Sequence, residues 1–154
     1  MKKTVLFLHG LESKPGGAKP AFLETHGFEV LNPSLPKNDF LESCDIAQQY
    51  IDDHQPDVVV GSSRGGAVAM AIDPKGARMV LIAPAWVNFK GPSQVSRKTS
   101  ILHSRQDSVI PFANSVDLST KSDAILVECG KGHRMNDPDA LWVLLEAVKD
   151  ATEG

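Results

Sequence analysis

Three consecutive valines, Val58-Val59-Val60, run directly into Gly61-Ser62-Ser63-Arg64-Gly65-Gly66 and then into Ala67-Val68-Ala69-Met70. The valine run reads as a strand buried on both faces, and the small residues after Arg64 suit a closely packed helix. Between them lies a G-x-S-x-G pattern. At a strand-to-helix turn this pattern forces its central residue into a strained backbone conformation and leaves it exposed above the sheet. Glycines on either side let the two segments pass at close range. Ser63 is therefore a candidate nucleophile, and the backbone N–H of Arg64, which opens the helix, is a candidate donor to developing negative charge. The pattern is loose when taken alone, because glycine-serine turns also join strands to helices in proteins without hydrolytic activity. Partners for Ser63 have to come from elsewhere in the chain.

The rest of the sequence alternates short apolar runs with helical patterns. Residues 4–8, 28–31, 57–61, 79–83, 99–103 and 124–128 read as strands. Residues 18–26, 39–54, 64 to about 72, 112–118 and a segment opening at Asp137-Pro138-Asp139 read as helices, with Gly27 and Asp73-Pro74-Lys75-Gly76 as stops. In the second helix Phe40, Leu41, Cys44, Ala47 and Ile51 recur with helical spacing; in the last, Leu141, Leu144, Leu145 and Val148 do so. Such alternation predicts a parallel sheet buried on both faces. Right-handed crossovers then bring the carboxyl ends of all the strands to one edge, where residues distant in sequence can meet.

Length and charge narrow the field. A chain of 154 residues fits one domain, 1–154. Its formal charge of −3, from 16 basic and 19 acidic residues without a like-charge block, favours neither nucleic acid nor a membrane surface as partner. Cys44 and Cys129 lack metal-type spacing and read as reduced thiols. The charged and apolar start is too short for a targeting core, and no run approaches the ~20 apolar residues of a spanning helix, so a cytoplasmic protein is expected.

A serine hydroxyl needs a base within hydrogen-bond reach and an acid to orient that base. Of five histidines, His26 and His54 end helices at the wrong edge, His9 sits beside the glycine of the first loop, and His103 belongs to the fifth strand. His133 follows the last strand in the glycine-flanked loop Gly130-Lys131-Gly132-His133 and is the candidate base. For the acid, Asp107 leaves the fifth strand on the correct edge, whereas Asp57, Asp73 and Asp123 fall at strand starts or helix ends. The backbone N–H of Leu11, after Gly10, is the candidate second donor of an oxyanion hole; losing such a donor costs about 3 kcal/mol of transition-state stabilisation. Against this stand plainer readings, in which His133 is an ordinary loop histidine and Asp107 a turn or capping residue.

Phe7-Leu8-His9-Gly10, Gly61-Ser62-Ser63-Arg64-Gly65-Gly66, Asp107-Ser108-Val109-Ile110-Pro111 and Gly132-His133, in that order, resemble the diagnostic motifs of the α/β-hydrolase superfamily over nearly the whole chain. Within it the chain is most similar to small, lidless serine esterases acting on acyl esters and thioesters. The resemblance implies Ser63 as nucleophile, His133 as general base and acid, Asp107 as orienting acid, and the Leu11 and Arg64 amides as oxyanion hole. It also implies six parallel strands in the order 2-1-3-4-5-6, helices on both faces, no lid domain, no cofactor and no metal. Only residues 86–98 occupy the usual lid position, which implies a shallow, open site for a small-molecule ester or thioester with a small or exposed acyl group.

Trp86, Val87 and Phe89 are candidates for an acyl pocket, and Glu12 and Ser13 for substrate contact. The Arg64 side chain, unusual after a nucleophile, either attracts an anionic substrate or is solvated, the second being the expectation, as it is for Lys14 and Lys19. A non-catalytic binding protein on the same scaffold, an acyltransferase and an amidase are the competing functions, among which fold-level likeness cannot choose. Oligomeric state is not legible.

Overall fold

The computed structural model describes residues 2–10, 15–89 and 91–153. Six strands, β1 (Thr4–Leu8), β2 (Glu29–Leu31), β3 (Val58–Ser62), β4 (Arg78–Ile82), β5 (Ser100–His103) and β6 (Ile125–Glu128), form one sheet in the order β2-β1-β3-β4-β5-β6. Every neighbouring pair is parallel. Among the described residues four helices lie between strands, α1 (Ala18–Thr25), α2 (Phe40–His54), α3 (Arg64–Met70) and α4 (Phe112–Ser122), and α5 (Pro138–Glu153) follows β6.

Side chains of a strand alternate between faces, so the apolar runs of the central strands feed two cores. Val5, Phe7, Val58, Val60, Val80, Ile82 and Leu102 pack against α1 and α5 through Leu23, Leu144, Leu145 and Val148. Leu6, Leu8, Val59, Leu81 and Ile101 pack on the other side against α2, α3 and α4 through Ile51, Val68 and Leu118. Each such fully buried aliphatic side chain contributes roughly 1.5–3 kcal/mol.

Helix limits show where apolar periodicity misleads. Leu41 is exposed rather than inward: the buried stripe of α2 is Ser43, Ala47 and Ile51, and a residue two positions before Ser43 lies about 200° around the helix from it. In α5, Ala140 takes the buried position expected of Leu141. Helix α4 runs one turn beyond the expected end at Leu118, to a left-handed Asp123 at φ +54°; Ser119-Thr120-Lys121-Ser122 carries no apolar signal that would have extended it.

Between β4 and β5 the described residues form only a short 3-10 turn at Trp86–Asn88, and no lid domain is present among them. No helix among the described residues is long and apolar enough to cross a membrane. All six strands point their carboxyl ends to one edge, and the candidate site lies there.

Candidate active site

Ser63 sits between β3 and α3 with φ +56° and ψ −116°, a conformation costing on the order of 1–3 kcal/mol for a residue with a side chain. Its neighbours over-determine it. The Ser63 N–H donates to the Ile82 carbonyl (2.8 Å), and its own carbonyl accepts from the amides of Gly66 (2.9 Å) and Ala85 (3.0 Å). The helix passes so close to β1 that a Cβ on Gly65 would stand 2.0 Å from the Leu8 carbonyl oxygen; one on Gly61 would stand 2.4 Å from that of Gly65. Glycine is required at both points, and the hydroxyl is held above the sheet edge.

Two residues from two other turns line up behind that hydroxyl. His133 Nε2 lies 2.9 Å from Ser63 Oγ, and His133 Nδ1 lies 2.7 Å from Asp107 Oδ2. The carboxylate can only accept, so Nδ1 carries the proton, and Nε2 is left to accept from the serine hydroxyl. The Asp107 side chain is fully shielded from solvent. Burial works to raise its carboxyl, but the His133 hydrogen bond and the amides of Ile110 and Val109, each donating to Oδ1 at 2.8 Å, outweigh it and hold the group below the usual carboxylate value.

Asp107 has a further partner that sequence reasoning set aside. His103 is completely buried, and its Nε2 lies 3.0 Å from Asp107 Oδ2 and 3.0 Å from the Ile110 carbonyl. Both are acceptors, which places the proton on Nε2 and leaves Nδ1 to accept from Ser115 Oγ at 2.6 Å. Burial lowers the His103 pKa against the pull of Asp107, keeping the ring neutral. The acid thus receives four donors, two from imidazoles and two from backbone amides, and is fixed in place. The available signal was the position of His103 at the end of β5, four residues before Asp107.

The Arg64 amide opens α3 beside Ser63, where a first-turn N–H has no partner within the helix. Leu11, the expected second oxyanion donor, lies outside the described residues, as do Glu12, Ser13 and Lys14. Gly10, just before them, runs close over the elbow: a Cβ there would be 3.4 Å from the Ser63 Cβ. His9 holds this turn, its Nδ1–H donating to the Gly10 carbonyl (2.8 Å) and its Nε2 accepting from the Leu35 amide (3.0 Å).

Two cations expected in solvent are buried. Arg64 is 4% exposed; its guanidinium donates to the Pro36 carbonyl (3.0 Å) and Ser43 Oγ (3.3 Å) and lies 5.6 and 5.8 Å from the ring centroids of Phe40 and Phe89. Those rings stack on each other at 4.6 Å. Helix α3 starts against α2, so the first side chain of α3 is trapped between them. Lys19, on α1, is 9% exposed, with Nζ donating to the Arg134 carbonyl and, at 2.9 Å, to Asn136 Oδ1. It ties α1 to the loop that carries His133. Burial, then the charge of Arg134, push its pKa down to about 8.

A cavity of about 570 Å³ opens over Ser63, within the range that takes a small organic ligand. Its walls are supplied by loops, Asn88 and Phe89 from one, Val109 and Ile110 from another, Arg134 and Asn136 from a third. Phe89 lines it as expected. Trp86 and Val87 do not: the Trp86 indole turns away to donate to the Asn114 carbonyl (3.0 Å), and Val87 projects into solvent from the 3-10 turn. Both cysteines are free thiols, and no group of His, Cys, Asp and Glu among the described residues is arranged to hold a metal ion.

No protein family and no curated protein matches the chain by sequence. Solved structures do match in shape. A candidate hydrolase of the alpha/beta superfamily from Xanthomonas campestris superposes with a TM-score of 0.80 at 19% identity, over 99% of each chain. Mouse alpha/beta hydrolase domain-containing protein 10 gives 0.75 at 16% identity, over 97% of this chain and 89% of that one. The esterase domain of a Rhodothermus marinus protein gives 0.74 at 17% identity, over 98% and 86%. At such identities the likeness is one of fold, and the fold is that of the α/β hydrolases.

Proposed function

We propose that this protein is a serine hydrolase that cleaves small or exposed carboxylic esters or thioesters through an acyl-enzyme. The observation that carries the reading is the continuous chain from Ser63 Oγ to His133 Nε2 (2.9 Å) and from His133 Nδ1 to Asp107 Oδ2 (2.7 Å), mounted on a strained elbow. Ser63 Oγ attacks the carbonyl carbon as its proton passes to His133 Nε2, and Asp107 stabilises the imidazolium that forms. The Arg64 amide, with that of Leu11, receives the charge on the tetrahedral oxygen. His133 then protonates the departing alcohol or thiol. In the second half-reaction it takes a proton from water, which attacks the acyl carbon and releases the acid and free Ser63.

Nitrophenyl esters and acyl thioesters of graded length, offered to the wild type and to His133→Ala, test this. The expected result is turnover by the wild type and a loss on the order of 10⁴-fold or more in the variant. Equal rates in the two proteins would remove His133 from the chemistry.

A further inference from the structure

The protein carries an excess of negative charge, yet the cavity over Ser63 is lined by three cations, Lys19, Arg64 and Arg134, and by no carboxylate among the described residues except at a distance through His133. Among those residues none of the three cations forms an ion pair. The Arg64 guanidinium uses two of its five N–H groups on Pro36 and Ser43, faces the Phe40 and Phe89 rings and is 4% exposed, so its charge is its main contribution to the cavity. Lys19 is different. The residue is 9% exposed, the two acceptors of its ammonium are neutral, and one of its three N–H groups remains uncommitted among the described residues.

A buried ammonium without a counter-charge is costly. Asp137 favours the charge on Lys19, but its carboxylate accepts from the amides of Lys131 and, at the start of α5, Ala140. Burial and the neighbouring guanidinium of Arg134 both disfavour the charge on Lys19, as expected of a site built around positive charge that an occupant completes. Arg134 follows His133 directly, is exposed, and lines the same cavity. An anion there would meet Lys19 Nζ–H, the Arg134 guanidinium and the Asn136 side chain on one wall, with the apolar surfaces of Phe89, Val109 and Ile110 lining the remainder.

Building on the reading of Ser63 as an acylated nucleophile, we propose that the cavity selects esters or thioesters that carry an anionic group a few bonds from the scissile carbonyl, held by Lys19 and Arg134. The test separates recognition from chemistry by measuring binding in a Ser63→Ala background. Calorimetric titration compares monomethyl adipate, which carries a carboxylate, with dimethyl adipate, in which that carboxylate is masked. The monoanion is expected to bind about tenfold or more tightly than the diester, as one charge-assisted contact implies. Its advantage should shrink as salt is raised.

Adding Arg134→Gln or Lys19→Met should bring the two affinities together, whereas Lys19→Arg, which keeps the charge, should preserve the difference. Because Lys19 also tethers the His133 loop, the ratio of the two affinities is the readout, and Arg134→Gln gives the same ratio without cutting the tether. Equal binding of both ligands, absence of binding by either, or a ratio unmoved by Arg134→Gln and Lys19→Met would each overturn the inference. Selective binding of the monoanion with no hydrolysis by the wild type would leave it standing and overturn the proposed reaction instead.

Discussion

The two sides of the site are held by different physics. On one side the elbow is set by contact distances between backbone atoms: Gly61 and Gly65 have no room for a Cβ, and Ser63 has almost no choice of position. On the other, Asp107 and His133 ride on loops after β5 and β6 and are fixed by polar side chains. His103 and two amides hold the acid, while Lys19 holds the loop of the base. The elbow is a steric device and the acid-base side a hydrogen-bonded one, so the two should fail differently.

The largest expected failure is Gly65→Ala. A Cβ 2.0 Å from the Leu8 carbonyl cannot be accommodated without moving α3 off β1, and a loss of about 3 kcal/mol or more is expected in urea unfolding, if the variant folds at all. An unchanged midpoint would mean that the elbow is not sterically set. Asp107→Asn should instead leave a folded protein with kcat lowered about 10⁴-fold. Its amide nitrogen, turned toward His133 Nδ1, would favour the tautomer with a proton on Nε2, where it can no longer accept from Ser63. Circular dichroism and turnover, measured together, separate the two failures.

Their contrast also explains what could be read from sequence. The elbow was legible because its causes are local: a valine strand, small helical residues and glycines at fixed spacing. The sheet order was implied by the resemblance to α/β hydrolases, and the choice of Asp107 and His133 followed from which strands end at which edge. His103 was passed over, because a histidine within a strand gives no sign of where its nitrogens point. Arg64 and Lys19 were expected in water because their burial depends on α2 and on the 130–137 loop, segments remote in sequence. Trp86 and Val87 were misplaced because the 3-10 turn that aims them has no periodic signal.

His103 offers a finer probe. His103→Leu removes one donor from Asp107 and is expected to lower kcat about 10- to 100-fold, the worth of one hydrogen bond to a charged group. His103→Gln, which retains an N–H, should recover part of the loss. Equal effects from both would assign His103 to packing alone.

Acid stability gives the smallest effect. The folded protein keeps His103 neutral while the unfolded chain takes up a proton near the ordinary imidazole value of about 6.5, so stability should fall as pH drops through and below that value. Asp107, held below its unfolded value, adds a second loss at still lower pH, as the folded carboxyl is finally protonated. Urea midpoints at pH 7 and pH 5 should differ for the wild type and differ less for His103→Leu. A pH dependence that His103→Leu leaves untouched would place the titration elsewhere.

The most direct measurement of the central claim is fluorophosphonate labelling read by intact mass and peptide mapping. One adduct per chain on Ser63, absent from Ser63→Ala and slowed in His133→Ala, is the expected result. Folded wild-type protein that takes up no label, or takes it up on another residue, would contradict an activated serine at this elbow.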